Sequence, residues 1–170
     1  MDFENFMREN GPLIYTLAIR LTGNASDGQD LAQETFIKAY KNFSEFRGDS
    51  LASTWLYRIC LNTWKNTVRY EKRRMFRHHD QIDGKEIPSG EPGLGSPLER
   101  SYYQSLVRSA MARLEHEDRE ILVLRDIEDR AYEEIAEILE VPVGTVKSRL
   151  ARSRMKLRAE LAPHLKDIRL

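Results

Sequence analysis

Hydrophobic positions recur along this chain at the spacing of an α-helix, and no strand-like alternation or Asn-Gly hairpin signal interrupts them. In residues 27–43, Ala32, Phe36, Ala39, Tyr40 and Phe43 fall at i, i+4, i+7, i+8 and i+11, a stripe that predicts a helix facing a core. Asp27 or Ser26 is the expected N-cap, since either side chain can accept from free N–H groups of the first turn. Upstream, residues 3–21 predict another amphipathic helix, with a break expected at Gly11-Pro12. A third begins after Arg47-Gly-Asp-Ser50, where Asp49 or Ser50 can cap, and runs to about residue 74. Farther on, Leu98, Tyr102, Leu106, Ala110 and Leu114 keep helical spacing, and more helices are expected at 119–127, 132–139 and 143–161. The expected fold is all-α.

Between these runs, Gly84, Gly90, Gly93 and Gly95 alternate with Pro88, Pro92, Pro97, Ser89 and Ser96. Glycine freedom and missing proline donors both oppose a regular element there. The expected organisation is an N-terminal module over 1–76, a linker over 77–97 and a C-terminal module over 98–170. Each module is small enough to need tight helix packing or a partner.

The sharpest local signal runs from Tyr132 to Leu150. Ile135, Ala136 and Leu139 make one apolar stripe, and Val146, Leu150 and Leu157 another, with a short turn at Glu140-Val-Pro142 between them. Small Ala136 suits a close helix crossing, and Pro142 turns its predecessor away from α geometry. The second helix presents Thr145, Ser148, Arg149, Arg152 and Lys156 on one side, the layout of a helix-turn-helix recognition helix. Arginine can pair two acceptors of guanine, so Arg149 and Arg152 are the expected base readers.

Charge sharpens this picture. The chain has 170 residues and no net charge, with 27 basic against 27 acidic side chains, but the signs are segregated. Residues 50–79 hold seven Lys/Arg and one acid, and 143–170 hold eight against two, whereas 80–99 and 100–142 are acidic. Two basic blocks separated by acidic ones suggest two surfaces that meet a polyanion. In the first block Arg58, Asn62, Lys65 and Arg69 share a helix face, with Asn66 beside it and Trp55, Tyr57, Trp64 and Tyr70 interleaved. Aromatics among cations suit single-stranded nucleic acid, although both tryptophans also suit a core, and for Trp55 the core is the favoured place. Leu56, Ile59, Cys60 and Thr63 form the opposite, core-directed side.

Composition excludes several classes. At 41% hydrophobic and 32% charged the chain is too apolar for disorder, and it has no run of the roughly 20 apolar residues that membrane insertion requires. Met1-Asp-Phe-Glu-Asn5 lacks the pattern of a signal peptide, so a cytoplasmic location is expected. One cysteine rules out an internal disulfide; Cys60 reads as a packed thiol rather than a redox sensor. His78-His-Asp80 invites a metal reading but has no matching cluster elsewhere. No Gly-rich phosphate loop or nucleophile elbow points to catalysis, and no cofactor is expected.

The order of these parts resembles the extracytoplasmic-function (ECF, group IV) sigma factors of bacterial RNA polymerase. Three stretches carry the resemblance: Asp30-Leu-Ala-Gln-Glu-Thr-Phe-Ile-Lys-Ala-Tyr40; Phe46-Arg-Gly-Asp-Ser50 with Thr54-Trp-Leu-Tyr-Arg-Ile59 and Asn62; and Tyr132-Glu-Glu-Ile-Ala136 with Pro142-Val-Gly-Thr-Val-Lys-Ser-Arg149. The resemblance implies a promoter-directing factor without chemistry of its own, whose partners are core polymerase (β′ clamp helices and β flap), promoter DNA and an anti-sigma factor. Asp30, Gln33, Glu34 and Lys38 match the helix that docks on the clamp. Residues 43–50, including Phe43, Phe46, Arg47 and Ser50, match the loop that captures a base flipped from the −10 element, and Asn62 lines that pocket. Arg58, Lys65, Asn66 and Arg69 are expected along the same −10 surface; Thr145, Lys147, Ser148, Arg149, Arg152 and Lys156 are expected at the −35 element. The acidic linker is either a segment threading toward the RNA exit channel or a passive tether. The chain departs from the family at Glu115, where proline is frequent, and at Asp129-Arg-Ala131, which lacks the usual serine cap; Asp129 is the expected substitute. The rival readings are a stand-alone helix-turn-helix regulator, which leaves residues 30–40 unexplained, and a core-binding protein that no longer reads promoters.

Overall fold

The computed structural model describes residues 2–46, 51–77 and 97–164, and all of its regular structure is helical. Seven α-helices follow in order: α1 (Phe3–Thr22), α2 (Ala25–Asn42), α3 (Ala52–Arg77), α4 (Pro97–Arg113), α5 (His116–Leu122), α6 (Tyr132–Leu139) and α7 (Val143–Leu161). A 3-10 turn, Phe43–Glu45, closes α2, and a π-helical turn, Val123–Ile127, continues α5.

α1, α2 and α3 pack around Phe6, Ile14, Leu17, Leu21, Leu31, Ala39, Leu56 and Leu61, all buried. The expected break at Gly11-Pro12 is absent: α1 runs through Pro12. Proline removes one N–H from the helical ladder, a cost of about 3 kcal/mol, but Phe6 before it and Ile14 after it are buried in the same core, and that burial offsets the loss. A left-handed Gly23 (φ 82°) ends α1. Two expectations for α2 change. Its N-cap is Asn24, whose side chain accepts from Asp27 N–H at 2.8 Å, not Asp27 or Ser26. Its buried side is Gly28, Leu31, Ala32, Thr35 and Ala39, while Tyr40 is 67% exposed. Gly28 sets the α1–α2 distance, since a Cβ there would lie 2.6 Å from Ile19 Cγ1 and 2.7 Å from Ile19 Cα.

The C-terminal helices close around Leu106, Leu114, Ile121, Leu122, Val123, Leu124, Ile135, Ile138, Val146 and Leu150. Helix α5 begins at His116, three residues before the expected start. The π turn lets Glu128 N–H reach Val123 O at 2.9 Å, and Arg130 N–H reaches Leu124 O at 3.0 Å. At the start of α6 the cap is also not the expected one. Glu134 Oε2 accepts from Ala131 N–H at 2.9 Å, while Asp129, at φ 51°, pairs with Arg125 instead. Helix α6 ends in a left-handed residue, Glu140 (φ 56°), with Val141 N–H returning to Ala136 O at 3.0 Å. The carbonyl of Pro142 then accepts from Thr145 and Val146 N–H to open α7.

Among the described residues no helix is long and apolar enough to cross a membrane. No group of three His, Cys, Asp or Glu among them could hold a metal ion. Residues 78–96 of the expected linker, with His78-His-Asp80, and the Asp49/Ser50 cap lie outside the described residues, while the linker's expected ends, Arg77 and Pro97, belong to α3 and α4.

Candidate nucleic-acid interface

Three surfaces carry the residues singled out from the sequence. On α2, Asp30, Gln33 and Glu34 are exposed, and Lys38 pairs with Glu34 at 2.8 Å one turn away. Ile37, 49% exposed, lies between them. Sequence reading passed over it, although its i+7 spacing from Asp30 and i+4 from Gln33 puts it on the same face. An apolar side chain flanked by charges is suited to a protein partner rather than to nucleic acid.

The second surface joins the end of α2 to α3. Phe43, Phe46 and Trp55 are half-buried and cluster with Phe6: the Phe46–Trp55 centroids are 5.1 Å apart, Phe6–Phe43 5.1 Å and Phe6–Phe46 5.4 Å. Phe46 and Trp55 thus belong to one aromatic cluster; Arg47 and Ser50 lie outside the described residues. Along α3, Asn62, Asn66 and Arg69 are exposed. The interleaved aromatics do not all share that surface. Tyr57 and Trp64 are buried, with 0% and 3% exposure, and only Tyr70 stands out at 63%. Tyr57 and Trp64 are core residues, so base stacking does not fall to them.

Arg58 and Lys65 face the C-terminal half of the chain. Arg58 donates from Nε and Nη2 to Glu137 O at 3.1 and 2.7 Å and lies 3.6 Å from the Glu140 carboxylate. It thus adds donors to the Glu137 carbonyl, which also accepts from Glu140 N–H, at the C-terminus of α6, where a cation is favoured by the helix dipole. Lys65 Nζ forms an ion pair with Glu120 Oε2 at 2.9 Å. Burial pushes the Glu120 carboxyl upward, and Lys65 opposes it. Beside this pair sits His116, both ring nitrogens buried without a partner and its ring edge-on to Trp64 at 6.3 Å. Burial, with Arg69, Lys65 and Lys72 nearby, holds the imidazole below its usual range against the pull of Glu117.

The third surface is α7. Val146, Leu150 and Ser153 are buried, which fixes the helix so that Lys147, Ser148 and Arg152 are exposed and Thr145 and Arg149 half-buried. Ser153 Oγ donates to Asp118 Oδ1 at 2.7 Å inside the α5–α7 contact, and Lys156 Nζ reaches the other oxygen at 2.6 Å. Burial works against the Asp118 charge, but these two donors outweigh it and hold the carboxyl below its normal range. Lys156 is thereby committed to α5. Sequence reading missed Ser153, because a serine at a buried helix position carries no polar pattern; only Asp118, 35 residues away, gives it a role. Arg149, Arg152 and Lys156 line one side of a cleft of about 370 Å³, with Glu115, His116, Glu117 and Asp118 on the other. Lys147 Nζ sits 5.8 Å from the Tyr132 ring centroid, tying the recognition helix to the start of α6.

Comparison with known proteins covers both halves. Residues 6–74 match the Sigma-70 region 2 family and residues 104–157 the Sigma-70, region 4 family. The RNA polymerase sigma-H factor of Pseudomonas aeruginosa is 38% identical over 160 residues, spanning 91% of this chain and 83% of the relative. The ECF RNA polymerase sigma-E factor of Escherichia coli is 38% identical over 148 residues, spanning 82% and 76%. Among solved structures, the sigma factor RpoE of Bartonella quintana, in complex with the anti-sigma factor NepR, aligns with a TM-score of 0.72 at 25% identity over 95% of this chain and 97% of that one. CnrH in complex with the cytosolic domain of CnrY aligns with a TM-score of 0.62 at 24% identity, over 95% and 88% of the two chains.

Proposed function

This chain belongs to the ECF sigma factors of the sigma-70 family, and from that membership we propose how its three surfaces share the work of transcription initiation. As a sigma factor it directs bacterial core RNA polymerase to promoters. The polymerase makes RNA, and this chain contributes binding energy rather than chemistry. The division into a core- and −10-binding module over 1–76, a linker over 77–97 and a −35-binding module over 98–170 follows the same reading.

Asp30, Gln33, Glu34 and Lys38, with Ile37 among them, dock on the clamp helices of the β′ subunit; the C-terminal module meets the β flap. The segment from Phe43 to Ser50 takes up a base flipped from the −10 element, anchored on the Phe46–Trp55 stack. Flipping costs a few kcal/mol of stacking, which contacts from Asn62 and its neighbours must offset. At the −35 element Arg149 and Arg152 read base edges while Thr145, Lys147 and Ser148 hold the backbone. The observation that carries this assignment is α7 itself, whose Val146, Leu150 and Ser153 are buried while its cationic face stays accessible. An anti-sigma factor is the further partner, by analogy with the complexes of the structural relatives.

The test is transcription in vitro, with purified chain added to sigma-free core polymerase on a pool of promoter fragments and start sites mapped by sequencing. Starts sharing one upstream −35/−10 pair are expected. Absence of core binding would sink the assignment. In the same assay Asn62→Ala is expected to impair open-complex formation and leave core binding intact; loss of core binding would move Asn62 out of the −10 pocket.

A further inference from the structure

The cations of α7 are not equally free. Lys147, Arg149 and Arg152 have no ion-pair partner among the described residues. Arg154 and Lys156, farther along the helix, are each held by a carboxylate from earlier in the chain. Arg154 Nε donates to Asp126 Oδ2 at 3.0 Å, and Lys156 Nζ to Asp118 Oδ2 at 2.6 Å. The second pair is the more firmly built. Asp118 lies inside the α5–α7 contact, and its other oxygen accepts at 2.7 Å from Ser153 Oγ, whose residue is 1% exposed. Held at both oxygens, the carboxylate is fixed in the orientation that meets Lys156. Burial opposes its charge, but Lys156 and Ser153, with Arg152 nearby, keep the carboxyl below its usual range, so it is ionised at neutral pH. Lys156 itself lies on the cleft side of α7 with Arg149 and Arg152, at i+7 and i+4 from them. Seven helical residues carry it about 10 Å along the axis from Arg149, toward the phosphates that border a groove occupied by the start of α7.

We propose that Asp118 is a positioning residue that sets how tightly α7 grips DNA of any sequence: it holds Lys156 off the phosphate backbone and leaves contact to the base-reading part of the helix. The inference rests on the assignment of α7 to the −35 element. A lysine is a point charge that meets any phosphate, so its contact adds affinity without sequence information. That affinity comes largely from counterions released by the DNA, and a cation already neutralised by a carboxylate releases fewer of them. The carboxylate belongs to the same chain, is oriented in advance by Ser153 and competes with an external polyanion at high effective concentration. Non-promoter sites vastly outnumber promoters, so each phosphate-binding cation withdrawn leaves more of the free chain available to polymerase.

The test is the salt dependence of binding to a fluorescein-labelled duplex of random sequence, measured on the full chain between about 50 and 200 mM salt. Asp118→Asn keeps an oxygen to accept from Ser153 and removes the charge that holds Lys156. It is expected to steepen the slope of log affinity against log salt by about one and to tighten binding at low salt roughly threefold or more. Lys156→Met alone is expected to leave the slope unchanged, and Asp118→Asn/Lys156→Met to return it to that of the parent chain. Lost packing between α5 and α7 would lower the melting temperature without steepening the slope. A flatter slope for Lys156→Met would show that Lys156 already binds phosphate and would overturn the proposal. A gain that persists in the double variant would overturn it too, because the effect would then belong to the Asp118 charge and not to Lys156. Should Asp118→Asn fail to fold, the Lys156→Met arm decides alone. Arg149→Ala in the holoenzyme, scored by transcription from promoters with a randomised −35 element, tests the assignment beneath. Unaltered base preference there refutes the −35 reading itself, whereas altered preference with the salt arms failed refutes only the role of Asp118.

Discussion

An arginine discriminates a base only if the helix beneath it cannot roll, and Arg149 meets that condition. Val146 and Leu150 on either side of it are 0% and 2% exposed, and Ser153 one turn on is hydrogen-bonded to Asp118. Arg149→Ala is therefore expected to cost about 1–3 kcal/mol at the −35 element and to relax preference at a single position. Uniform weakening on all sequences, read by binding to a promoter-variant library, would make Arg149 a phosphate contact instead. His116 is a second residue whose chemistry is set by its surroundings. Its folded pKa lies below the ordinary 6.5, so the folded state takes up fewer protons than the unfolded chain as pH falls. Stability from this group is complete above about pH 6.5 and is lost as pH drops through the lower, folded value. His116→Phe, which keeps a ring against Trp64, should flatten the melting temperature over that window. An unchanged slope would place the acid sensitivity elsewhere.

At the scale of the element, the α1–α2 pair depends on one missing side chain. Alanine is the better helix former by up to about 1 kcal/mol, but a Cβ at Gly28 meets the Ile19 backbone, which no rotamer change relieves. Gly28→Ala is expected to lower stability by about 1–3 kcal/mol in urea denaturation; no loss would mean that the helices can part without cost. Gly28 also marks what the sequence pattern conceals. Periodicity identified the helices, because buried residues such as Ala32, Ala39, Leu56, Val146 and Leu150 repeat at the α spacing. It misjudged Tyr40, since an exposed aromatic and a core aromatic are alike in a hydrophobic stripe. It gave the α2 cap to Asp27 or Ser26, whereas Asn24 takes the role and accepts from Asp27 N–H, because neighbouring capping residues look the same before the backbone is known. The π turn at Val123–Ile127 had no signature, since one inserted residue leaves Val123 and Leu124 as apolar as a regular helix would. For the candidate site, α7 was legible because its cations are local in sequence. The partners of Arg58 and Lys65 were not, because they lie 79 residues from Arg58 in one case and across the linker in both.

For the whole molecule, the zero net charge takes on spatial meaning. The acidic block before α7 is folded partly against the basic block of α3, so segregation along the chain becomes neutralisation in space. Beneath that contact lies Cys60, fully buried beside Thr35, its thiol pushed up to about 12 by burial. A thiolate is the reactive form, so an alkylating reagent meets neither an accessible nor an ionised sulfur in the native chain. Labelling of the unmodified protein is expected to proceed at the pace of opening of the N-terminal helices rather than at the pace of the reagent, as followed by mass spectrometry. Fast labelling under native conditions would show that α3 detaches readily. The lone cysteine is in effect an internal clock for unfolding, and a second cysteine engineered onto the exposed face of α7 could carry a dye without the first having to be removed.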